Sequence, residues 1–206
     1  LYNQQLKGAF NFVPGVMAMI LLLVCTMMTS ISIVREKENG TMEVLLASPL
    51  RPFLIIIAKA VPYLVLSMVN VASILLLSVY ALELPIAGSL ALLLAESMLF
   101  TITALTLGLL ISTITASQQI AMMISLVGMF LPTLMFSGFM FPVENMPLPL
   151  QVISNIIPAK WFFIIVKSVM IKGLGFHSIW KETLILGGMT LFLLTIAVRK
   201  FKTRLA

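Results

Sequence analysis

Charged residues are scarce in this 206-residue sequence, and their scarcity excludes most soluble folds. Only 10% of the residues are Asp, Glu, Lys or Arg, whereas 61% are hydrophobic, and a soluble globular domain carries about 25% charged residues. Aspartate is missing altogether, since all seven acidic residues are glutamates. With a mean hydropathy of +1.15, the sequence predicts an all-α, polytopic helical membrane protein.

Cysteine and histidine each occur once, which argues against two further kinds of structure. Cys25 lies in an apolar run, so no disulfide framework is predicted, and we interpret it as a small packing residue. His177 has no partners at the spacing of a metal site, so no metal ligands are predicted. The formal net charge is +6. Because four basic residues follow an apolar segment in the tail, this charge is typical of a cytoplasmic membrane flank rather than of nucleic-acid binding.

The start of the sequence lacks the features of a signal peptide. It begins at Leu1, and no basic region followed by a short apolar stretch comes after it. Residues 1–10 are typical of the end of a preceding segment. We therefore expect this sequence to be part of a longer protein.

Long apolar segments are the main feature that is present. A helix needs about 20 mostly apolar residues to cross a bilayer, and five segments approach or exceed that length. The predicted spans are residues 12–34, 53–82, 90–114, 119–137 and 182–198, and residues 199–206 follow as a tail.

Residues 138–181, between the fourth and fifth spans, are apolar but repeatedly interrupted by prolines and charged residues. Apolar pieces of about 10 to 14 residues are typical of re-entrant or interfacial segments rather than of full spans. We predict an outer re-entrant hairpin here, with extracytoplasmic helices. Its candidate turn residues are Gly138, Pro142, Glu144 and Pro147.

The distribution of Lys and Arg predicts the orientation of the chain. If residues 35–51 and the tail lie in the cytoplasm, seven basic residues are inside and five are outside. Most of the outer ones lie in one long segment, and long segments count less in this rule. Lys59 lies close enough to the inner end of its span for its stem to reach the cytoplasmic surface.

A charged segment separates the first two spans and reads Arg-Glu-Lys-Glu-Asn-Gly-Thr-Met-Glu over residues 35–43. As a helix with 100° per residue, it would place Glu36, Gly40, Glu43 and Ala47 on one face. Anionic lipid would repel its three glutamates. A protein partner is therefore the favoured target, and a merely solvated connection is the alternative.

Two polar residues lie inside predicted spans. Glu96 lies about 12 Å from the outer end of its span, and a carboxylate at membrane depth is a functional hypothesis by default. It is a candidate for substrate contact or proton relay, or alternatively a carboxyl near the interface, protonated or bonded to Ser97 or Thr101. Asn70 is interpreted as a helix–helix hydrogen-bonding residue, and is the second candidate for a substrate pathway.

Several motifs together resemble one family. The segment Arg-Glu-Lys-Glu-x-Gly-Thr-x-Glu, followed by Pro49 and Arg51, resembles the cytoplasmic coupling segment of ABC-2 type exporter permeases. Residues 137–147 resemble their outer re-entrant hairpin, and residues 108–113 with residues 118–119 are similar to a third motif of the family. The resemblance covers nearly the whole chain in the family's order.

The resemblance implies a six-helix permease in the cell (inner) membrane, of which this chain carries helices two to six. Residues 35–51 would form a cytoplasmic coupling helix that binds an ABC ATPase subunit through Glu36, Gly40, Thr41 and Glu43. A second permease subunit, identical or not, would pair with this one, and a periplasmic adaptor would be a further partner. The ATPase subunit would bind ATP and Mg, so this chain needs no cofactor.

No phosphate-binding loop of the form Gly-x-x-x-x-Gly-Lys-Ser/Thr occurs in the sequence, so the chain is not predicted to be an enzyme. The leading hypothesis is the permease subunit of an ATP-binding cassette exporter for an amphipathic or lipid-like substrate or drug, since the spans carry few charges. Two alternatives stay open. One is a proton-coupled secondary transporter that uses Glu96, and the other is a non-transporting membrane anchor for a cytoplasmic ATPase.

Overall fold

The computed structural model describes residues 9–41, 52–84 and 86–203, and helices dominate this part of the chain. The α-helices are α1 (Ala9–Glu38), α2 (Pro52–Tyr80), α3 (Leu90–Ile114), α4 (Gln118–Phe136), α5 (Leu148–Ser154), α6 (Pro158–Val166) and α7 (Phe176–Thr203). A short 3₁₀ helix, Val143–Asn145, precedes α5, and a π-helical segment, Lys167–Ile171, follows α6.

Five of these helices, α1, α2, α3, α4 and α7, are long and apolar enough to cross a membrane. The all-α polytopic fold predicted from composition is therefore confirmed for the described residues. Successive spans run in alternating directions, so that α1, α3 and α7 end where α2 and α4 begin. We call this side the charged end, because residues 35–41 lie there with Lys59, Ser112 and Gln118 around them. The opposite end carries the loop before α3 and residues 137–175.

Both ends of the first helix and the start of the last helix differ from the limits of the predicted spans. The first helix runs from Ala9 to Glu38 rather than over residues 12–34, and the last begins at Phe176 rather than at residue 182. Hydropathy marks only the apolar part of a span, whereas the backbone hydrogen bonds of a helix continue through polar residues into the interface. Because His177 and Lys181 are polar, the hydropathy of the sequence did not indicate the first turns of α7.

The segment between α4 and α7 contains no straight span. Helix α5 and the α6–π segment meet at 81° across a short break, as expected for a broken, re-entrant-type segment. Pro147 is the N-cap of α5 and Pro158 is the first residue of α6. A proline at these positions begins a helix without losing a backbone hydrogen bond.

Helices α1 and α3 form the centre of the bundle. In the apolar stretch of α1 and in that of α3, half of the residues are buried. In the apolar stretches of α2, α4 and α7, the buried share is 17%. A Cβ on Gly108 of α3 would lie 2.6 Å from the carbonyl oxygen of Thr26 on α1, so the two backbones cross closely. The hydroxyl of Thr26 also donates to the carbonyl oxygen of Ala104 at 3.1 Å. Small residues and interhelical hydrogen bonds are the usual means of helix association in lipid.

Two further polar contacts tie α1 to its neighbours within the membrane. The Cys25 thiol and the Ser67 hydroxyl on α2 lie 2.8 Å apart, and the hydroxyls of Ser30 and Ser125 on α4 lie 2.9 Å apart. Cys25 is buried, which agrees with its predicted packing role. The outward faces of α2 and α4 carry many exposed large apolar side chains. Such faces suit contact with lipid or with another membrane subunit.

Candidate functional site

The charged end begins where α1 leaves the apolar region and turns. The helix continues to Glu38, and Gly40 then adopts a left-handed conformation with φ of +70°. Glu36 therefore belongs to α1, whereas Gly40 lies in a turn. The single helical face predicted for residues 35–51 is wrong at this point, because the helix is interrupted within it. Thr41 is again helical, and residues 42–51, including Glu43 and Ala47, lie outside the described part of the chain.

Glu36 is held by two residues of its own chain. The ammonium of Lys59 on α2 donates to one carboxylate oxygen at 2.9 Å, and both side chains are only 21–29% exposed. The Thr41 hydroxyl donates to the other carboxylate oxygen and lies 3.3 Å from the Glu36 carbonyl oxygen. Lys59 thus extends towards the charged end, which agrees with the prediction that its stem reaches the cytoplasmic surface. Its partner there is Glu36, so this carboxylate is already bonded inside the chain.

Glu38 caps the first turn of α4. One of its carboxylate oxygens accepts the backbone N–H of Gln118 at 2.9 Å, and the other accepts the Gln118 side-chain amide. The Ser117 hydroxyl accepts the Ile120 N–H at 3.3 Å. The first N–H groups of a helix have no intrahelical partners, and a negative charge beside them is favourable. Glu38 therefore fixes the end of α1 to the start of α4.

Basic residues complete these links. Arg35 donates from Nε to the side-chain oxygen of Gln118 at 3.3 Å. Lys37 donates to the backbone carbonyl of Ser112, in the last turn of α3, where a cation is favoured by the helix dipole. The end of α1 is thus bonded to α2, α3 and α4 together. A displacement of the turn at Gly40 would act on all four helices.

The roles of Arg35, Lys37 and Glu38 were not predicted from the sequence. Gln118 was noted only as part of the third motif of the family resemblance. One signal was available. The connection between α3 and α4 is three residues long, so it places a helix C-terminus next to a helix N-terminus. Such a pair of helix ends favours one cation and one anion, and Lys37 and Glu38 are adjacent in sequence.

Glu96 lies in the bundle between α3 and α7 and is 3% exposed. One carboxylate oxygen accepts the Thr183 hydroxyl at 2.8 Å, while the other has no hydrogen-bond partner in the described part of the chain. The suggested partners were wrong, since Ser97 donates to its own helix backbone and the Thr101 hydroxyl has no hydrogen-bond partner among the described residues. Glu96 is therefore an incompletely satisfied carboxyl group within the membrane region.

Asn70 lies half-buried on α2. Its side chain makes no hydrogen bond with any residue that the structure describes. The helix–helix hydrogen bond expected there is therefore not formed within the described chain, and a role in a substrate pathway stays a prediction.

The predicted hairpin residues lie together at the opposite end. Gly138 has a φ of +86° and ends the turn after α4, and Pro142 precedes the 3₁₀ helix that contains Glu144. Gln151 closes this turn by donating to the carbonyl oxygen of Met146 at 2.8 Å. Pro147 begins α5. These four residues thus shape the connection from α4 into the bent helix pair.

A cavity of about 590 Å³ opens beside the hairpin and is lined by Asn11 of α1, by the hairpin and by α6 with its π segment. Its charged lining residues are Glu144, Lys160, Lys167 and Lys172. Asn11 and Glu36 lie 25 positions apart on α1, which is about 38 Å at 1.5 Å per residue. The cavity and the charged end are therefore at opposite ends of the bundle.

Comparison with known proteins identifies similar sequences along most of the chain. A family model described as ABC-2 family transporter protein matches residues 1–199. The chain is 37% identical over 172 residues to the probable multidrug ABC transporter permease YbhS of Escherichia coli (strain K12), covering 84% of this chain and 46% of the relative. It is 36% identical over 184 residues to the probable multidrug ABC transporter permease YbhR of that strain, covering 88% and 49%.

A third relative is the inner membrane transport permease YhhJ of Escherichia coli (strain K12), which is 32% identical over 205 residues, or 98% of this chain and 54% of the relative. The chain thus spans about half the length of the curated relatives it matches. No solved structure matches it. The names of these three relatives describe permeases, and none of them mentions an adaptor protein.

Proposed function

The chain belongs to the ABC-2 transporter family, and from this premise we propose that it is the membrane-embedded part of an exporter's permease subunit. The family match and the five candidate spans support a multi-pass inner-membrane protein that acts as a transport subunit rather than as an enzyme. In our proposal, a separate ABC ATPase subunit hydrolyses ATP, and this chain converts the resulting motion into opening and closing of a pathway.

The observation that carries this proposal is the bonding of the charged end. Charged side chains in the last turn of α1 bind α2, α3 and α4 through Lys59, Ser112 and Gln118. A rigid connection to several spans is what a subunit needs if a force applied at one point is to move the whole bundle. A solvated loop without function would not require these hydrogen bonds and this ion pair.

The turn at Gly40 separates two roles within the charged segment. We assign Glu36, together with Arg35, Lys37 and Glu38, to an internal clamp that holds the spans together. We assign Gly40, Thr41 and the following segment with Glu43 to the docking surface for the ATPase. Gly40 is exposed, and no atom of another described residue beyond its chain neighbours lies within 4 Å of the position of a Cβ there. A partner surface could therefore approach the backbone closely.

The proposed substrate is an amphipathic or lipid-like molecule or drug. The described spans expose extensive apolar faces and bury few charges. Two relatives are named as probable multidrug permeases, and an apolar pathway in this chain would be consistent with those names. A second permease subunit would cover part of the exposed faces of α2 and α4. A periplasmic adaptor has no support beyond the resemblance and stays a prediction.

The test is co-purification of the ATPase from membranes in mild detergent, using the full-length protein with an affinity tag. Glu43→Arg reverses one charge on the proposed docking surface. Glu83→Arg reverses one charge in the exposed loop at the opposite end and is the matched control. We expect wild type and Glu83→Arg to retain an ABC ATPase, and Glu43→Arg to lose most of it while still inserting in the membrane.

Two results would overturn the proposal. If no ABC ATPase accompanies the wild-type protein, the exporter hypothesis fails. If Glu43→Arg retains as much ATPase as Glu83→Arg, the assigned docking surface is wrong.

A second candidate function follows from Glu96. A buried carboxyl with one oxygen that no described residue hydrogen-bonds is suited to take up and release a proton within the membrane, which would favour a proton-coupled transporter. Transport that persists without ATP, collapses with an uncoupler and is abolished by Glu96→Gln would favour this function. Transport that needs ATP and survives Glu96→Gln would exclude it.

A further inference from the structure

Three lysines lie along one side of the bent segment at the opposite end of the bundle. Lys160 and Lys167 are seven residues apart, and seven residues at 100° each return to nearly the same side of a helix. Lys172 would point about 140° away from Lys167 in a regular α-helix. The segment Lys167–Ile171 is instead π-helical, and the backbone N–H of Lys172 donates to the carbonyl oxygen of Lys167 at 3.3 Å.

The π turn brings Lys172 to the side of Lys160 and Lys167, because its wider turn places residues five apart nearly above one another. All three lysines line the 590 Å³ cavity. A π turn inside a helix is rare and is frequently found at functional sites. The alignment therefore depends on an unusual piece of backbone that serves this cavity.

None of these lysines forms a close ion pair within the described chain, and the Glu144 carboxylate acts on Lys167 only from a longer distance. Lys160 donates to the Ser154 hydroxyl at 3.0 Å and to the Asn155 side-chain oxygen at 2.7 Å, both of which are neutral. The Lys167 ammonium lies 5.7 Å from the centre of the Phe163 ring. No carboxylate oxygen of a described residue lies within 4.0 Å of any of the three ammonium groups.

The lining has an excess of positive charge and free hydrogen-bond donors. Glu144 is the one acidic residue among the described lining residues, so the cavity carries three positive charges and one negative. The Ser168 hydroxyl also lines the cavity and makes no hydrogen bond with another described residue. Lys160 and Lys167 are partly buried, whereas Lys172 is exposed, and partly buried ammonium groups without a close ion-pair partner are stabilised when an anion joins them.

An apolar groove lies directly beside the lysine cavity. It has a volume of about 300 Å³ and is lined by Met135, Phe136, Phe141, Met146 and Leu150, among others. Pro142 lines both the groove and the cavity, so the two are adjacent at this residue. A cationic cavity next to an apolar groove has the two parts needed to hold a charged headgroup and an attached hydrocarbon chain.

We propose that this end of the protein is a binding site for an anionic, phosphate-bearing amphiphile. The phosphate oxygens bind Lys160, Lys167 and Lys172 through charge-assisted hydrogen bonds, with the Ser168 hydroxyl as a neutral donor. The hydrocarbon chain lies in the groove beyond Pro142. Glu144 opposes the anion and limits its affinity, which permits release. The binding does not depend on whether the molecule is exported, so its test is separate from that of the proposed function.

The test uses the purified full-length protein in a neutral detergent. Native mass spectrometry counts the molecules retained when phosphatidylglycerol or, in parallel, zwitterionic phosphatidylcholine is added. Titration calorimetry with sodium phosphate is the second arm and distinguishes a free anion from a lipid headgroup. The variants are the double substitution Lys160→Gln with Lys167→Gln, the single substitution Glu144→Gln, and Lys181→Gln. Lys181 is an exposed lysine on α7 that does not line the cavity, so Lys181→Gln is the matched control.

We expect preferential retention of phosphatidylglycerol, with an affinity about tenfold lower for each cavity lysine removed. Lys181→Gln should behave as wild type, and Glu144→Gln should bind more tightly, a direction that misfolding cannot produce. Phosphate binding with the same lysine dependence, without preference for phosphatidylglycerol, would support an anion site but overturn the lipid-borne ligand. If neither probe depends on Lys160 and Lys167, or if phosphatidylcholine binds equally well, the proposal is wrong.

Discussion

The two ends of this bundle both carry clustered charge, and they use it in different ways. At the charged end, Glu36 binds Lys59, and Glu38 binds the first turn of α4. At the opposite end, Lys160 has only neutral hydrogen-bond partners and Lys167 lies over an aromatic ring. The first set of charges joins parts of the chain to one another. The second set faces a cavity and leaves its electrostatic attraction available to a ligand.

In our proposals, this difference corresponds to a division of function along the molecule. Charges that are bonded inside the chain stiffen it, and a stiff end is suited to receive force from another subunit. Charges without a counter-charge keep an affinity that a bound molecule can use. Charge content alone is therefore a poor guide to a binding surface in a membrane protein. The bonding partners decide whether a charged residue supports structure or recognition.

The helix crossings near the two ends provide the largest expected difference in stability. Gly108 faces the backbone of Thr26 near the charged end, whereas Gly15 faces the side chain of Phe139 at the opposite end. A backbone cannot move aside as easily as a side chain, so we expect Gly108→Ala to destabilise the protein by about 1–3 kcal/mol. A Cβ on Gly15 would overlap the Phe139 ring, but this half-buried ring can turn aside. We therefore expect a smaller effect for Gly15→Ala, since Ala also favours a helix by about 1 kcal/mol over Gly.

Thermal unfolding of the two variants in the same detergent measures this difference. Equal losses of melting temperature would show that the crossing at the charged end is no more rigid than the hairpin contact. The proposed difference in rigidity between the two ends would then be wrong.

Removing the carboxylate that caps α4 should have a smaller and more local effect. Glu38→Ala leaves the backbone N–H of Gln118 without this acceptor, so we expect faster hydrogen exchange in the first turn of α4, residues 118–120. Glu144→Ala, which removes an exposed carboxylate at the opposite end, is the control and should leave that peptide unchanged. Unchanged exchange in Glu38→Ala would mean that Glu38 does not hold α4 in solution.

Much of the fold could be predicted from the sequence because the bilayer restricts the possible structures. Only helices and closed barrels satisfy the backbone in lipid, so apolar length alone identified the five spans and the broken segment after Ser137. The limits of α1 and α7 were harder to predict, because helices extend past the apolar region through residues such as His177. These differences concern polar turns at the helix ends rather than the apolar spans.

The bonding of the candidate sites was largely beyond prediction, because it joins residues far apart in sequence. Glu38 and Gln118 are 80 positions apart, and Glu96 and Thr183 are 87 apart. The helical face drawn through Glu36 and Gly40 failed because it assumed an uninterrupted helix, and the positive φ of Gly40 ends it. The alignment of Lys172 with Lys167 depends on a π turn, for which the sequence offers no clear signal.

The most direct test of the account is a charge exchange between Glu36 and Lys59. The full-length protein carries Glu36→Lys, Lys59→Glu or both, and the readouts are the amount of ATPase co-purified from membranes and its rate of ATP hydrolysis. The internal clamp predicts that each single variant lowers both values and that the double variant restores them, with a coupling energy of about 1 kcal/mol or less for a partly exposed pair. If the double variant stays as low as Glu36→Lys, then Glu36 binds the partner subunit and the charged end is not an internal clamp.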